Sequence, residues 1–449
     1  MKRSLALAAG LALSLCSFAS GQTLEVVPNH ILSDESAVIH VTGLAANERV
    51  TIQAELRDGA GEMWSSSADF VADSQGAIDV SKQAPVSGSY KEVSSMGLIW
   101  SMMPKEKRVK GYRSPDALGA QEIELRLMRR GQQAASAQLE ELFKANNVKS
   151  VKLMGTLHGV LIEPASGGPY PGVLVVGGSE GGIMLHRAAW LASHGFAALA
   201  LAYFRYDDLP PRLEAIPLEY FGTALEWMRE QPEIAGNHIG VMGTSRGGEL
   251  ALQLGSMYPV IKAVVAYVPA NTLNPACCGQ TTFPYAWTWK GSPLAWVRPG
   301  SRRNPEAVRD ATIHVENTRG PVLMISGDDD GVWQSSRMAD EVLDRLKDAH
   351  FSYKYENLKY HHAGHTAGNP LIIPAWRGRT VHPLSGKEVE MGGTVEGNAH
   401  SSIDSIPKVL EFLQESLGSA EPQPKQTSTT ETQRNGENQK ENQIQNLYH

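Results

Sequence analysis

Cysteine is scarce in this sequence, with three residues in a chain of 449. Cys16 lies near the N-terminus, and the other two, Cys277 and Cys278, are neighbours. Because a disulfide between adjacent residues is strained and rare, the sequence predicts a protein that is not a disulfide scaffold. Two cysteines are also too few for a cysteine-rich structural zinc site.

Long apolar runs and basic runs are also missing. Beyond the first 21 residues, no segment approaches the roughly 18 uninterrupted apolar residues of a membrane-spanning helix, so we predict none. The net charge is −7, with no basic run of the kind that binds nucleic acid. The length is sufficient for two or three domains of a soluble globular protein.

Residues 1–21 have the pattern of a secretory signal peptide. Lys2 and Arg3 form a charged start, residues 5–16 are apolar but too short to span a membrane, and small residues precede the expected cleavage site. The alternatives are a buried N-terminal helix and a lipoprotein attachment site at Cys16, and both fit less well. We therefore expect the protein to be secreted or periplasmic.

Residues 22–150 show the period-two alternation of β-strands, clearest over residues 50–57 and 123–127. Short strands separated by turn signals predict a β-sandwich. The segment 97–104 is apolar on all sides, which favours packing in the core or at a domain interface over a binding role. Residues 140–147 are expected to form a short connecting helix.

From residue 151 to 418 the pattern changes to continuous apolar strands alternating with amphipathic helices. Such alternation predicts an α/β domain with a mostly parallel, doubly wound sheet. The tryptophan-rich stretch 270–320 is either a lid or an ordinary packed connection. Residues 419–449 are polar and nearly free of large apolar side chains, which is typical of a disordered tail.

Residues 238–259 carry the most informative motif. A strand runs into Gly243-Thr-Ser-Arg-Gly247, and a helix follows, so that Ser245 stands at the tip of a G-x-S-x-G nucleophile elbow. With 43 glycines in the chain, one match is weak, and residues 177–181 give a second match after an earlier strand. The helix N-terminus behind Ser245 offers N–H groups where negative charge develops in acyl transfer.

An elbow serine needs a base and an acid, which follow it in chain order in such folds. A late strand ends in Ser-Gly-Asp-Asp-Asp-Gly, where Asp330 is the preferred acid and Asp329 the alternative. A later loop contains His-His-Ala-Gly-His, where His365 is the preferred base over His361 and His362. A metal site in this loop is the less favoured interpretation, because nearby carboxylates at ligand spacing are missing.

The chain order also indicates a role for the second G-x-S-x-G motif, at residues 177–181. The loop after the early strand of such a domain supplies one oxyanion N–H, and the residue after the nucleophile supplies the other. The expected donors are therefore the backbone N–H of Arg246 and that of Gly178 or Ser179. Ser245 is the predicted nucleophile, and residues 177–182 are the predicted oxyanion loop.

Several stretches together resemble the family of acyl-CoA thioesterases and bile-acid-CoA:amino-acid N-acyltransferases. The resemblance covers nearly all of the chain between the leader and the tail, and its most specific stretch is 186–210. The stretches are residues 97–102 (GLIWSM), 186–210 (HRAAWLASHGFAALALAYFRYDDLP), 218–221 (LEYF), 243–250 (GTSRGGEL), 327–335 (GDDDGVWQS) and 364–365 (GH).

The resemblance implies an immunoglobulin-like domain followed by an α/β-hydrolase domain, with nucleophile Ser245, acid Asp330 and base His365. Amidating members tend to carry cysteine at the nucleophile, so the serine favours hydrolysis. Two features depart from the family pattern. Glu180 lies within the glycine-rich oxyanion loop, and the leader indicates an exported, bacterial-type member, away from cytosolic CoA thioesters.

The sequence thus predicts a serine hydrolase of acyl thioesters that needs no cofactor or metal and whose partner is a small-molecule thioester or ester. Acyl transfer to an amino acid is the second hypothesis. A secreted carboxylesterase and a non-catalytic binding protein on a hydrolase scaffold are further alternatives. Neither nucleic acid nor a membrane span is expected, and the sequence does not predict the oligomeric state.

Overall fold

The computed structural model describes residues 21–115, 118–298 and 304–418. The predicted signal peptide, except Gly21, and the predicted tail, 419–449, lie outside the described residues. Within the described ranges, no helix combines the length and apolar character needed to cross a membrane.

The described part of the N-terminal region contains two β-sheets and a short α-helix. One sheet has the order β1-β3-β6, and the other has the order β2-β10-β9-β4-β5-β7, with β8 beside β5. The elements are β1 (Thr23–Val27), β2 (His30–Leu32), β3 (Val38–Thr42), β4 (Arg49–Arg57), β5 (Met63–Val71), β6 (Ile78–Asp79), β7 (Ser87–Gly88), α1 (Gly97–Trp100), β8 (Met103–Pro104), β9 (Ala120–Arg129) and β10 (Gln132–Leu142).

The predicted alternation along the strands is confirmed. In β4 every second side chain, from Val50 to Leu56, is buried, and Ile123, Leu125 and Leu127 of β9 are fully buried. Residues of both sheets join one hydrophobic cluster. Burial of these alternating apolar faces is what holds the two sheets together.

The prediction of a helix over residues 140–147 is wrong. Strand β10 continues to Leu142, pairing with β9 and β2, and the chain bends before the next strand begins at Val148. Leu139 and Glu141 are buried at period-two spacing, and burial raises the pKa of Glu141 well above its usual range. Strand pairing has overridden the local helix propensity of this segment.

The C-terminal region contains an eight-stranded sheet of order β11-β12-β14-β13-β16-β17-β20-β21, antiparallel only at β11-β12 and β12-β14. Its elements are β11 (Val148–Lys152), β12 (His158–Pro164), β13 (Tyr170–Val176), α2 (Leu185–Ser193), β14 (Ala197–Ala202), β15 (Ile216–Pro217), α3 (Glu219–Glu230), β16 (Ile234–Thr244), α4 (Arg246–Met257), β17 (Ile261–Tyr267), β18 (Trp287–Trp289), β19 (Ser292–Pro293), α5 (Pro305–Ala311), a 3-10 turn (Val315–Asn317), β20 (Val322–Gly327), α6 (Ser335–Asp348), β21 (Tyr355–Tyr360), β22 (Thr380–Val381), β23 (Glu388–Val389) and α7 (Val395–Leu417).

Helices cover both faces of this sheet, as the sequence predicts. Side chains of α2 and α7 join the hydrophobic cluster on one face, and those of α3, α4 and α6 join the cluster on the other. All seven residues of β13 and all six of β14 are buried, which is typical of central strands covered on both faces. The carboxyl ends of the parallel strands therefore meet at one edge, where ligand sites form in such sheets.

The tryptophan-rich connection is packed in its described part. Trp287 is 1% exposed and lies against Tyr203 and Phe221, and its strand pairs with β15 and β19. This observation favours the packed connection over a lid for that tryptophan. In the same stretch Cys277 and Cys278 form a disulfide, although such pairing between neighbours is rare. A bridge between adjacent residues joins no distant segments, so it does not act as a scaffold.

The apolar segment 97–104 lies at the junction of the two regions. Leu98, Ile99 and Trp100 are at most 1% exposed. The carbonyl of Trp100 accepts a hydrogen bond of 2.9 Å from the N–H of Ala375, and the Trp100 ring lies edge-on to His400 of α7. The interpretation of this segment as core and interface packing is confirmed for residues 97–102, whereas Met103 is 42% exposed.

We expect Trp100→Ala to lower the free energy of unfolding by about 3–5 kcal/mol, because it removes a buried ring and leaves a cavity. Val86→Ala is the matched control, since Val86 is 54% exposed and its truncation should change stability by less than about 0.5 kcal/mol. Denaturant titration of both variants measures the difference. Equal effects would contradict the burial assigned to Trp100.

Candidate active site

Ser245 forms a sharp turn between β16 and α4. Its backbone has φ 58° and ψ −117°, a positive-φ conformation that costs a non-glycine residue about 1–3 kcal/mol. The N–H of Ser245 donates to the carbonyl of Tyr267 at the end of β17, over 2.9 Å. The neighbouring strand thus holds the turn that presents the serine side chain.

Glycine is required at two positions of this turn because backbone approaches it too closely. A Cβ at Gly243 would lie 1.9 Å from the carbonyl oxygen of Gly247. A Cβ at Gly247 would lie 2.4 Å from the carbonyl oxygen of Gly177 and 2.6 Å from that of Val176. The first turn of α4 therefore packs directly against the end of β13, where the predicted oxyanion loop begins.

Three predicted side chains meet at the carboxyl edge of the sheet. Ser245 Oγ lies 2.8 Å from His365 Nε2, and His365 Nδ1 lies 2.9 and 2.8 Å from the two carboxylate oxygens of Asp330. Ser245 is 9% exposed, and the side chains of His365 and Asp330 are 7% and 1% exposed. The chain of hydrogen bonds is thus continuous and largely removed from water.

The surroundings of His365 determine its tautomer. The carboxylate of Asp330 accepts from Nδ1–H, so Nε2 is free to accept the proton of the serine hydroxyl. The N–H groups of Val332 and Trp333 donate to Asp330 Oδ1 over 2.9 and 3.2 Å, and the Trp333 ring lies edge-on to the imidazole. These contacts fix the carboxylate and the ring in place.

The alternative acid and bases have other partners. His361, with its side chain 83% exposed, bonds to Asp328 at 2.7 Å, and Asp328 also accepts from the N–H of His362. The carboxylate of Asp329 accepts from the N–H of Gly393 over 3.2 Å. In the part of the chain that the structure describes, no group of three or more His, Cys, Asp or Glu side chains is arranged to hold a metal ion.

Arg246, whose N–H is a predicted oxyanion donor, begins helix α4 with its side chain buried. Its guanidinium donates to the carbonyls of Pro275 and Asn274 over 2.8 and 3.1 Å and lies 3.0 Å from the carboxylate of Glu249. Glu249 also accepts from the indole N–H of Trp287 over 2.8 Å. This buried network ties the elbow helix to the tryptophan-rich connection.

Arg187 and Tyr267 support the elbow from the α2 face of the sheet. The guanidinium carbon lies 4.1 Å from the centre of the Tyr267 ring, a cation–π contact. Burial lowers the pKa of Arg187 and raises that of Tyr267, with each residue opposing the shift of the other. Since the Tyr267 carbonyl accepts from Ser245, this contact steadies the strand end that holds the turn.

Residues 376–394 contribute a group of contacts that sequence reasoning missed, and we call this segment the site hairpin because it contains β22 and β23. The carbonyl of Met391 accepts from the N–H of His365 over 2.7 Å, and Gly392 forms an isolated bridge with Asp330. His382 Nε2 lies 3.1 Å from Ser179 Oγ in the predicted oxyanion loop. The adjacent glycines Gly392 and Gly393, just before α7, are a sequence signal that could have indicated a close backbone approach here.

The doubly wound sheet and the Ser-His-Asp geometry at its carboxyl edge define an α/β-hydrolase. A dienelactone hydrolase-like phosphotriesterase from metagenomic libraries covers 60% of this chain and 98% of its own, at 20% identity and a TM-score of 0.39.

Two family models match the sequence. The "Acyl-CoA thioester hydrolase/BAAT N-terminal region" covers residues 34–154, and "BAAT / Acyl-CoA thioester hydrolase C terminal" covers residues 216–419. Acyl-coenzyme A thioesterase 1 of Mus musculus is 32% identical over 403 residues, covering 86% of this chain and 94% of the relative. The mitochondrial acyl-coenzyme A thioesterase 2 of the same species is 31% identical, covering 86% and 87%. The chain belongs to the acyl-CoA thioester hydrolase/BAAT family, and it is an enzyme of the thioester or ester hydrolase type.

We expect Gly247→Ala to destabilise the protein by about 1–3 kcal/mol, because the new Cβ overlaps two backbone carbonyls. Helix propensity alone would favour alanine here by about 1 kcal/mol, so the two effects differ in sign. Gly111→Ala is the control, since its nearest neighbour would be 3.5 Å away. Denaturant titrations compare the two, and a stabilised Gly247→Ala variant would contradict the close approach.

Proposed function

We propose that the protein hydrolyses acyl-CoA-type thioesters through an acyl-enzyme on Ser245. The observation that carries the proposal is the buried hydrogen-bond chain from Ser245 through His365 to Asp330. An isolated hydroxyl is a poor nucleophile at neutral pH, and a positioned imidazole activates it. Membership of a family that includes the two mouse acyl-coenzyme A thioesterases described above supports the choice of substrate.

The mechanism has two halves. His365 removes the proton of Ser245 as Oγ attacks the acyl carbonyl, and Asp330 stabilises the imidazolium that forms. The backbone N–H groups of Arg246 and of Gly178 or Ser179 stabilise the negative charge on the acyl oxygen. His365 then protonates the leaving thiolate, and a water activated by the same histidine releases the acid.

The nucleophile favours hydrolysis over transfer to an amine. In the resemblance noted above, amidating members tend to carry cysteine, whereas this chain carries Ser245. Acyl transfer to an amino acid is the second candidate. Product analysis with and without added glycine separates the two, because transfer gives an amide and hydrolysis gives the free acid.

Two further features belong to this proposal. We propose that residues 1–21 direct export, so that the physiological substrate is a thioester or carboxylic ester available outside the cytosol. We also propose that the two-sheet N-terminal region is immunoglobulin-like. Its role would be structural, since its residues 97–102 are buried at the junction with the catalytic region.

We expect Ser245→Ala to lower kcat for acyl-CoA hydrolysis by about 10⁶-fold, the scale of losing the serine of such a triad. Alanine keeps the Cβ, so the variant should keep the wild-type fold by circular dichroism. A panel of acyl-CoA thioesters and simple esters, assayed on the chain beginning at Gln22, identifies the leaving group. Wild-type activity in the variant would rule out Ser245 as nucleophile and, with it, the proposed mechanism.

Asp330→Asn should lower kcat by about 10⁴-fold, because an amide no longer selects the Nδ1–H tautomer of His365. Asp329→Asn is the matched control. Its amide oxygen still accepts the bond from Gly393, so kcat should stay within a few-fold of wild type. Steady-state kinetics on both variants give the comparison, and a larger loss for Asp329→Asn would transfer the acid role to that residue.

A further inference from the structure

The second G-x-S-x-G motif has a histidine partner of its own. Ser179 Oγ lies 3.1 Å from Nε2 of His382, which the site hairpin brings to the loop from 203 residues away in sequence. Both residues are half-buried. The contact resembles that between Ser245 and His365. The direction of its hydrogen bond decides whether His382 accepts the proton of Ser179 as a base or donates a proton to its hydroxyl oxygen.

Backbone contacts on the other ring nitrogen determine that direction. The N–H groups of Leu384 and Ser385 point at Nδ1 of His382, over 3.3 and 3.4 Å. In the neutral ring a nitrogen that accepts carries no proton, so the proton is on Nε2, which donates to Ser179 Oγ. His382 is therefore not a base for Ser179, and the hydroxyl proton of Ser179 remains available to a third group.

Burial favours the neutral form of the His382 ring. Burial lowers the pKa of His382, Glu180 opposes that shift and Arg205 adds to it. Arg205 is also held in place, because its guanidinium donates to the carbonyl of Glu180 over 2.8 Å. The donor at Nε2 and the acceptor at Nδ1 are thus both present at neutral pH.

The oxyanion loop lies against the nucleophile elbow. A Cβ at Gly178 would lie 3.3 Å from the carbonyl oxygen of Thr244, the residue before Ser245. From the other side, the N–H of Gly182 donates to the carbonyl of Phe204 over 3.1 Å. The backbone on either side of Ser179 is therefore fixed, and the rotamer of its hydroxyl depends on His382.

We propose that the Ser179 hydroxyl donates a hydrogen bond to the acyl oxygen of the substrate in the transition state, and that His382 is the positioning residue that aims it. This inference rests on the proposed attack by Ser245. It adds a side-chain donor to the two backbone donors. It also gives the site hairpin a double role, because the same segment holds His365 through the Met391 carbonyl.

The test measures the rate at which a fluorophosphonate labels Ser245, since the phosphonyl oxygen occupies the oxyanion position, together with kcat and KM for an acyl-CoA. Ser179→Ala should lower the labelling rate and kcat by about 10²-fold, the scale of losing one oxyanion donor, with KM little changed. His382→Ala should lower both in the same direction by a smaller factor.

Two further variants separate positioning from a general structural role. The double variant should be no slower than Ser179→Ala, because His382 acts through that hydroxyl. His382→Gln, whose amide N–H can donate to Ser179 Oγ, should recover most of the rate. Val381→Ala is the control for the hairpin, since Val381 is 58% exposed and its truncation should leave both rates at wild-type level.

The inference would be overturned if Ser179→Ala were labelled at the wild-type rate. It would also be overturned if the losses in the double variant were additive, or if His382→Gln recovered none of the rate. Rapid labelling without acyl-CoA turnover would contradict the thioesterase proposal alone, and the variant comparison would still stand. A wild-type chain that resists the fluorophosphonate would overturn both.

Discussion

The backbone contact between the elbow helix and the end of β13 is the constraint on which the site depends. Only glycine at position 247 lets α4 approach the carbonyls of Val176 and Gly177. That approach sets the distance between Ser245 and the loop that we propose stabilises the oxyanion. Electrostatic stabilisation of this kind requires donors fixed before the charge develops. The strained φ of Ser245 is the conformational cost of the same arrangement.

The remaining parts of the site are held by segments that come late in the chain. The site hairpin contacts His365 through the Met391 carbonyl and Ser179 through His382. The buried Arg246–Glu249 pair joins the elbow helix to the tryptophan-rich connection. Helix α7 follows the hairpin and packs beside α1 at the junction with the N-terminal region. Folding of both regions therefore contributes to the geometry of the candidate active site at the carboxyl edge of the sheet.

The sequence was sufficient to predict the α/β sheet and the three residues that meet at its edge. Those predictions rest on local patterns, namely apolar strands, a glycine-flanked serine and the chain order of serine, aspartate and histidine. His382 could not be found in this way, because nothing local to it signals a contact with Ser179. The helix expected over residues 140–147 failed because pairing with β9 outweighed local propensity. The Cys277–Cys278 bridge was also unexpected, because disulfides between adjacent residues are rare.

The central claim is that Ser245 carries the acyl group during turnover. Rapid-quench mass spectrometry of the wild-type protein mixed with an acyl-CoA tests it most directly. The account predicts a transient mass increase equal to the acyl group, located by peptide mapping at Ser245 and lost as free acid appears. Turnover with no covalent adduct, or with the acyl group on another residue, would contradict the account.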